Sequence, residues 1–401
     1  MPADLVNTVD GFRCAGVACG IKPAPAPDLG LLVADAPCRA VATFTTNHFA
    51  AAPVRVSREH LARSRGRVRA VIVNSGNANA CTGSAGRGDA LKMCAVTARL
   101  LGVKPHEVLV ASTGPIGHTL PMHKVVAGIE AAVAGLSRAA TAGRAFARAI
   151  LTTDNGPKTA AARFSAGGKR FNVAGAAKGA GMICPRMATM LSFLTTDVGL
   201  PVATLRRLLR SAVNDSFNAI TVDGHTSTND SVFLLSSGTA NVAKSRQAAV
   251  GKGLGSALAA VCGTLAEAIV LDGEGATKAT TVRVTGARSD RAAATIARTV
   301  AESPLVRTAL FGNDPNWGRI VSAVGYAEGV RSVDKLRCRI NGTVVFQRGR
   351  PEPFDARKVA KSLEAPRAEI TVELAEGTGQ ARVVTSDLTY EYIRINAEAH
   401  T

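Results

Sequence analysis

Lys178-Gly-Ala-Gly-Met-Ile-Cys-Pro-Arg-Met-Ala-Thr-Met-Leu-Ser-Phe-Leu-Thr-Thr-Asp197 lies near the middle of the 401-residue chain. A lysine and two glycines open it, a proline follows, and it then turns apolar with a small-residue step, Ala188-Thr189, at the entrance. As a strand, it places Met187, Thr189, Leu191 and Phe193 on one face, because side chains alternate with period two. A hydroxyl among three large apolar groups is either buried and hydrogen-bonded or it is a reagent.

Outward from this stretch, strands and helices alternate loosely. Gly11–Ile21 reads as one bent strand, and Pro23, Pro25 and Pro27 then force an extended connection. Leu29–Ala34 and Ala40–Phe44 read as two further strands, Val68–Val73 as a buried one and Val108–Ala111 as another. Lys169–Val173 resembles a strand edge. Helices are predicted over Gly88–Leu101, with Gly102 as its C-terminal cap, and over Met122–Leu136, Arg144–Leu151, Pro201–Asn214, Gln247–Ile269, Arg291–Glu302 and Ile320–Gly325. Further strands are predicted over Ser231–Ser236, over Thr280–Thr285 and within 336–385. No internal repeat is evident. The class is α/β (or α+β), with mixed sheets covered by helices. The length suits two or three domains or one large elaborated one.

Composition narrows the function. The chain is 46% hydrophobic and 19% charged, ample for a core. Its 48 Lys and Arg against 30 Asp and Glu give a net charge of +18. The densest basic run, Arg58, Arg63, Arg65, Arg67 and Arg69, has no interleaved aromatic residue to stack on bases, so it reads as a solvated basic surface rather than a specific nucleic-acid site. The eight cysteines form no C-x-x-C pair and no spacing that suggests a metal site. The N-terminus lacks a signal-peptide pattern. No apolar run approaches the ~20 residues of a membrane span. Reduced thiols in the cytoplasm are the expectation.

Three segments carry candidate chemistry. Asn74-Ser-Gly-Asn-Ala-Asn-Ala-Cys-Thr-Gly83 follows a strand and precedes a helix, an order that could cradle a phosphate, but it fits no phosphate-loop motif. Ser112-Thr-Gly-Pro-Ile-Gly117 can present an O–H and backbone N–H groups into open space, which suits an oxyanion hole as well as an ordinary turn. Asn218-Ala-Ile-Thr-Val-Asp-Gly-His-Thr-Ser-Thr-Asn-Asp230 is dense enough in polar groups to form a buried network or a site wall. None of the seven histidines lies in a catalytic motif, and His225, in the polar loop, is the best placed. A hydroxyl nucleophile then needs another activator. A threonine freed at its own α-amine supplies one. Ala188 leaves the preceding bond accessible, and Gly179–Pro185 could hold it strained; a buried strand threonine is the competing reading.

Several segments together resemble the ornithine acetyltransferase (glutamate N-acetyltransferase) family of arginine biosynthesis. They are Asn74–Gly83, Ser112-Thr-Gly114, Lys178-Gly-Ala-Gly-Met182 with Met187-Ala-Thr-Met-Leu191, Thr221-Val-Asp-Gly224 with Thr226-Ser-Thr-Asn-Asp230, Asp272-Gly-Glu-Gly-Ala-Thr-Lys278, Asp314-Pro-Asn-Trp-Gly-Arg319, and Ile395-Asn-Ala397. They occur in order over nearly the whole chain.

The resemblance implies self-cleavage between Ala188 and Thr189, giving an α chain of residues 1–188 and a β chain of 189–401 that stay associated, usually as α2β2. Thr189 would be the nucleophile and its amine the base. Acetyl would pass from N-acetylornithine to the threonine and then to glutamate, with ping-pong kinetics. Thr113 and Gly114 would stabilise the oxyanion. Substrate contacts would come from Thr152, Lys178, Thr189, Glu274, Asn396 and Thr401. No resident cofactor is implied, and some family members also use acetyl-CoA as a donor. The fold would be the two-domain arrangement shared with certain N-terminal-nucleophile aminopeptidases. Arg186 stands where the family has Asn, His225 where an acid is usual and Ala219 where a longer polar residue is usual. A threonine-nucleophile amidase or aminopeptidase is the alternative on the same fold, and a nucleic-acid binder the distant one.

Overall fold

The computed structural model describes residues 4–23, 25–184 and 190–398. Arg186, Ala188, Thr189 and Thr401 lie outside the described residues.

Leu191–Val198 is a strand, and all of its residues are buried. It sits inside an eight-stranded mixed sheet whose main path runs Val108–Thr113, Arg67–Ser75, Leu29–Phe44, Ser231–Ala240, Leu191–Val198, Lys169–Lys178, Lys158–Ala166, with Phe12–Val17 added on Leu29–Phe44. Burial on both faces explains the continuous apolar pattern. Alternation then sorts the side chains into layers. Leu191 and Phe193 share one core layer with Phe146 and Phe233, as the period-two reading requires. Leu194 turns to the opposite layer with Leu205 and Leu258. Phe193 stacks on Phe233 at 5.6 Å and meets Phe146 edge-on at 5.3 Å, contacts worth about 0.5–1.5 kcal/mol per pair beyond area burial.

Three strand expectations change. Leu29–Phe44 is one 16-residue strand, not two. Its pairing with Arg67–Ser75 shifts register between Val33 and Cys38; the irregularity spans Pro37, which has no N–H to give the ladder. Lys169–Val173 is not an edge: the strand continues to Lys178 and pairs on both sides. Its second half, Ala174-Gly-Ala-Ala-Lys178, has poor strand propensity. The small residues are required by close packing, since a Cβ on Gly175 would lie 2.6 Å from Leu194 Cδ2 and 2.9 Å from Leu265 Cδ1. Val108–Ala111 extends to Thr113.

The helices hold with moved ends. The Gly83–Leu101 helix begins five residues before the predicted Gly88, and Gly102 closes it at φ 66°. Pro304–Phe311 is an additional helix, with Ser303 accepting from Val306 N–H and Pro304 in the first turn. The 25-residue helix Gln247–Leu271 corrects the statement about apolar runs, since Lys244–Leu271 is long and apolar enough to cross a membrane by length and composition alone. Here its Leu254, Leu258, Val261, Leu265 and Ile269 are core residues under the first sheet.

A seven-stranded sheet forms the second half, in the order Arg350–Pro351, Thr343–Gln347, Arg337–Ile340, Arg367–Glu373, Ala279–Ala287, Gly379–Ser386, Ile220–Thr221. Helices Asp290–Glu302, Pro304–Phe311 and Trp317–Gly325 share its core through Ile296, Val300, Val306 and Ile320. Ile220–Thr221 pairs in parallel with Val384–Thr385. That short bridge brings the polar 218–230 loop to the junction of the two sheets.

Candidate active site

Strand pairing ends at Lys178, opposite Leu191, and the candidate site is built where the chain leaves the sheet. Lys178 is 3% exposed. Its Nζ donates to Thr152 Oγ1 at 2.6 Å and to Thr113 Oγ1 at 3.3 Å. Burial lowers the Lys178 pKa from its ordinary value, and the Asp154 carboxylate, 3.9 Å away, opposes that shift. Thr113, Thr152 and Lys178, assigned from distant segments, therefore meet at one ammonium.

Thr113 ends its strand, and its carbonyl accepts from Asn77 N–H at 3.1 Å. Gly114 follows at φ 141°. A Cβ there would fall on the Asn77 nitrogen and 2.6 Å from the Gly76 carbonyl carbon. Only glycine fits this pass between two backbones. The Asn-rich loop that creates it is a scaffold and offers no open phosphate cradle. Asn74 accepts from Ser112 Oγ at 2.6 Å and donates to Asn77 O at 2.9 Å. Asn77 donates to His118 and Thr119 carbonyls, both at 3.2 Å. Asn79 donates to Gly86 O at 2.8 Å. From the polar loop, Asn229 reaches Ala78 O at 2.6 Å and Ser112 O at 2.9 Å.

Glu274 and Asn396 gather at Gly179–Gly181. Glu274 N–H donates to Ala180 O at 3.0 Å. Its carboxylate accepts from Thr153 Oγ1 at 2.8 Å and from Asn396 Nδ2 at 3.1 Å. A Cβ on Gly181 would meet that carboxylate at 2.5 Å from Cδ, so the glycine lets the acid approach the backbone. Asn396 arrives on the Tyr390–Glu398 helix, which packs so closely that a Cβ on Gly275 would lie 2.8 Å from the Glu391 carbonyl carbon.

Several residues that sequence reasoning did not assign hold this cluster. Asp154 is fully enclosed between Lys158, at 2.6 Å, and Lys178, and it accepts from Gly179 N–H at 2.7 Å and Thr152 N–H at 3.0 Å. Burial alone would raise its carboxyl. The Lys178 and Lys158 ammoniums outweigh burial and hold it well below the usual carboxylate range. Lys158 also pairs with Asp272 at 2.5 Å. The signal was present in Thr152-Thr-Asp-Asn-Gly-Pro-Lys158 and Asp272-Gly-Glu-Gly, where acids and lysines cluster off any helix or strand period.

Of the two readings of the polar loop, a buried network or a site wall, the structure shows the buried hydrogen-bond network. Asp223 accepts from Met182 N–H at 2.5 Å and Ile183 N–H at 2.8 Å, and burial raises its pKa above the ordinary value. Ser227, Thr228, Asn229 and Asp230 are buried. His225 is not part of the network's interior: its side chain is exposed, and its backbone N–H donates to Asp223 at 3.0 Å. Asp314–Arg319 also lies apart; Asn316 caps the Trp317–Gly325 helix and Trp317 stacks on Phe346 at 5.4 Å. A surface cleft of about 570 Å³, lined by Arg283, Arg298 and Arg382 among others, shares no residue with the cluster.

Residues 13–401 match the model of the ArgJ family. The chain is 43% identical over 397 residues to the arginine biosynthesis bifunctional protein ArgJ of Shouchella clausii, covering 99% of this chain and 96% of that one. It is 45% identical over 395 residues to the protein of the same name from Geobacter sulfurreducens, covering 98% and 100%. Among solved structures it is similar to ornithine acetyltransferase from Mycobacterium tuberculosis complexed with ornithine, at 39% identity and TM-score 0.41, covering 46% of this chain and 96% of that one. It is also similar to the L-aminopeptidase D-Ala-esterase/amidase from Ochrobactrum anthropi, at 12% identity and TM-score 0.42, covering 68% of this chain and 87% of that one.

Proposed function

From the premise that this chain belongs to the ArgJ family, we propose that it transfers an acetyl group from N2-acetyl-L-ornithine to L-glutamate through an acetyl-threonine at Thr189. The chain first breaks its own bond between Ala188 and Thr189. The Thr189 Oγ–H attacks the acetyl carbonyl and its proton passes to the α-amine. The C–N bond of acetylornithine breaks, and ornithine leaves with that proton. The glutamate amine then attacks the ester and releases N-acetylglutamate.

The observation that carries this reading is the convergence of Thr113, Thr152 and Lys178 at one ammonium, with Glu274 and Asn396 at Gly179–Gly181. A buried cation and a carboxylate beside one short backbone segment complement an amino acid bearing a carboxylate and a distal ammonium. Thr113 and Gly114 supply the oxyanion donors, and Thr401 joins the substrate contacts. Acetyl-CoA serves as a second donor. The α and β chains remain associated as α2β2 in the cytoplasm. Strands Leu191–Val198 and Ser231–Ala240 lie between Leu29–Phe44 and Lys169–Lys178 in one sheet, so a cut at 188 leaves the two chains sharing a ladder.

Intact mass spectrometry of the purified protein tests the cut, expected as two chains with Thr189 as a new N-terminus. Acetylornithine is then supplied with and without glutamate, and with acetyl-CoA in its place. N-acetylglutamate formation that fails in Thr189→Ala supports the proposal. An active single chain, or activity surviving Thr189→Ala, overturns it; acetylornithine hydrolysis without acetylglutamate formation would favour an amidase.

A further inference from the structure

The cleft that stands apart from the active-site cluster lies where the two halves of the fold meet. One wall is the end of the Val202–Asn214 helix with Asp215 and Asn218. The other is built on the strands Ala279–Ala287 and Gly379–Ser386. Gly379–Ser386 has a second strand partner only at Val384 and Thr385, which pair with Ile220–Thr221. Its outer edge is therefore open before Val384, and Gln380–Val383 line the cleft. Asp290, Ala294 and Arg298 line it as well; spaced four apart, they form a single stripe of the Asp290–Glu302 helix.

The arginines of this cleft are set against one another. Arg382 and Arg283 are direct cross-strand partners in the antiparallel ladder. Both side chains therefore leave the same face of the sheet, with Cβ atoms about 4.5–5.5 Å apart, where like charges destabilise the pairing. Arg283 is partly offset by Glu369, which it meets through Nε at 2.9 Å. Arg382 has no hydrogen-bond or ion-pair partner among the described residues. Its Nη2 lies 4.0 Å from the place a Cβ on Gly263 would take, so the guanidinium reaches across to the Gln247–Leu271 helix. Arg298 brings a third guanidinium. Its Nη2 donates to Asn218 O at 3.2 Å, while its buried Nη1 stands 3.8 Å from Glu302 and has no hydrogen-bond partner among the described residues. Two acids line the cleft, and one of them, Asp290, is engaged already, accepting from Gln380 N–H at 2.9 Å.

The scaffold does not require this set. One charged side chain is enough to blunt an open edge, and a neutral polar residue at 283 or 382 would end the repulsion. A buried donor without an acceptor costs further free energy. An anion relieves both. The guanidinium fork matches two oxygens of a carboxylate or a phosphate at once, and the ladder fixes the spacing of two such forks.

We propose that this cleft is a binding site for a small oxyanion of two or more negative charges, a phosphate or a dicarboxylate, with Arg382 and Arg283 as its main contacts and Arg298 as the third cation. The site shares no residue with the Lys178 cluster, and the proposal is independent of the nucleophile reading given above. An anion between the forks of Arg382 and Arg283 turns a repulsion into charge-assisted hydrogen bonds.

Isothermal titration calorimetry of the purified full-length protein at low ionic strength, with inorganic phosphate and separately with succinate, tests the site. Saturable binding of either anion, weakened about tenfold or more in Arg382→Gln and in Arg283→Gln, supports it. Which of the two binds tells which source of the anion the cleft takes. Arg357→Gln removes the same charge from an exposed position on the Ala356–Ser362 helix and should bind as wild type does. Equal weakening in Arg357→Gln would mean that the anion is held by overall charge alone, and it overturns the proposal. So does the absence of saturable binding of both anions. Melting curves in anion-free buffer separate a binding residue from a structural one. Arg382→Gln should melt no more than about 1 °C below wild type, or above it, because it loses a like-charged neighbour. A clear fall would show that the fold itself uses Arg382, and the assignment would be withdrawn.

Discussion

Asp154→Asn is the sharpest test of the charge cluster behind Lys178. The substitution keeps shape and removes one negative charge from a fully enclosed position 2.6 Å from Lys158 and 3.9 Å from Lys178. Removing one member of a buried pair leaves the other uncompensated and costs about 3–5 kcal/mol. Asp272, at 2.5 Å from Lys158, offsets part of that for Lys158, whereas Lys178 has no second carboxylate within salt-bridge distance among the described residues. With an unfolding entropy of about 2.1 cal/mol/K per residue, a cooperative unit of this size shifts by roughly 1.2 °C per kcal/mol, so Tm should fall by about 4–6 °C.

The pH dependence has a definite sign. A carboxyl whose folded pKa is depressed contributes stability that is fully present above its unfolded value of about 3.9 and is lost as pH falls towards the folded one. Wild-type and variant melting curves, followed by calorimetry, should therefore differ most from pH 5 to 7 and converge below pH 4. Lys178 should also lose its charge more readily, raising KM for acetylornithine. Coupling between Asp154→Asn and Lys158→Met should reach at least about 1 kcal/mol in a double-mutant cycle. A Tm within 1 °C of wild type at neutral pH, with unchanged KM, would refute the argument.

Three further outcomes are expected. Thr113→Ala should lower acyl-enzyme formation by about 10²–10³ if it donates to the oxyanion, read by single-turnover kinetics; an unchanged rate removes the role. Gly114→Ala forces a side chain into the Asn77 backbone at φ 141°, costing about 1–3 kcal/mol for the conformation alone. Its melting temperature should fall, and its acyl-transfer rate should fall at least as far as in Thr113→Ala. Glu274→Gln keeps an acceptor for Asn396 but removes the charge, so KM for acetylornithine should rise about tenfold or more while Tm stays within 2 °C; an unchanged KM would show that no ammonium is recognised there.

Periodicity carried the first sheet well, because its strands are buried on both faces and read as apolar runs. It failed where packing selected small residues. Ala174–Lys178 has no strand signature, yet it lies in the ladder because Gly175 must pass Leu194 and Leu265. The gap between the two predicted strands Leu29–Ala34 and Ala40–Phe44 holds Pro37 and is absorbed as a register shift within one strand. For the site, the hydroxyl-glycine turn marked Thr113 and Gly114, and the family resemblance added Thr152, Lys178, Glu274 and Asn396. Asp154, Asp223 and Asp230 stayed invisible as a set. Asp154 lies in one loop and Asp223 and Asp230 lie in another, and only the fold brings them to one stretch of backbone.

What that set does is hold the backbone on both sides of the proposed cut. A buried backbone normally satisfies its N–H groups in a ladder, and the ladder stops at Lys178 and resumes at Leu191. Between these points carboxylates stand in for strand partners: Asp154 takes Gly179 N–H, Asp223 takes Met182 and Ile183 N–H, and Asp230 takes Met190 N–H. Backbone held by side chains is free of sheet geometry and can adopt conformations a ladder forbids. Gly179 sits at φ 154° and Met182 at φ 57°, the latter a left-handed conformation uncommon for a bulky side chain. A bond to be cut must be reached by a nucleophile on one face and an oxyanion donor on the other, which paired strands do not allow. The three acids release the described parts of this segment from the sheet while fixing its backbone beside Lys178 and beside Met190, on either side of the proposed cut.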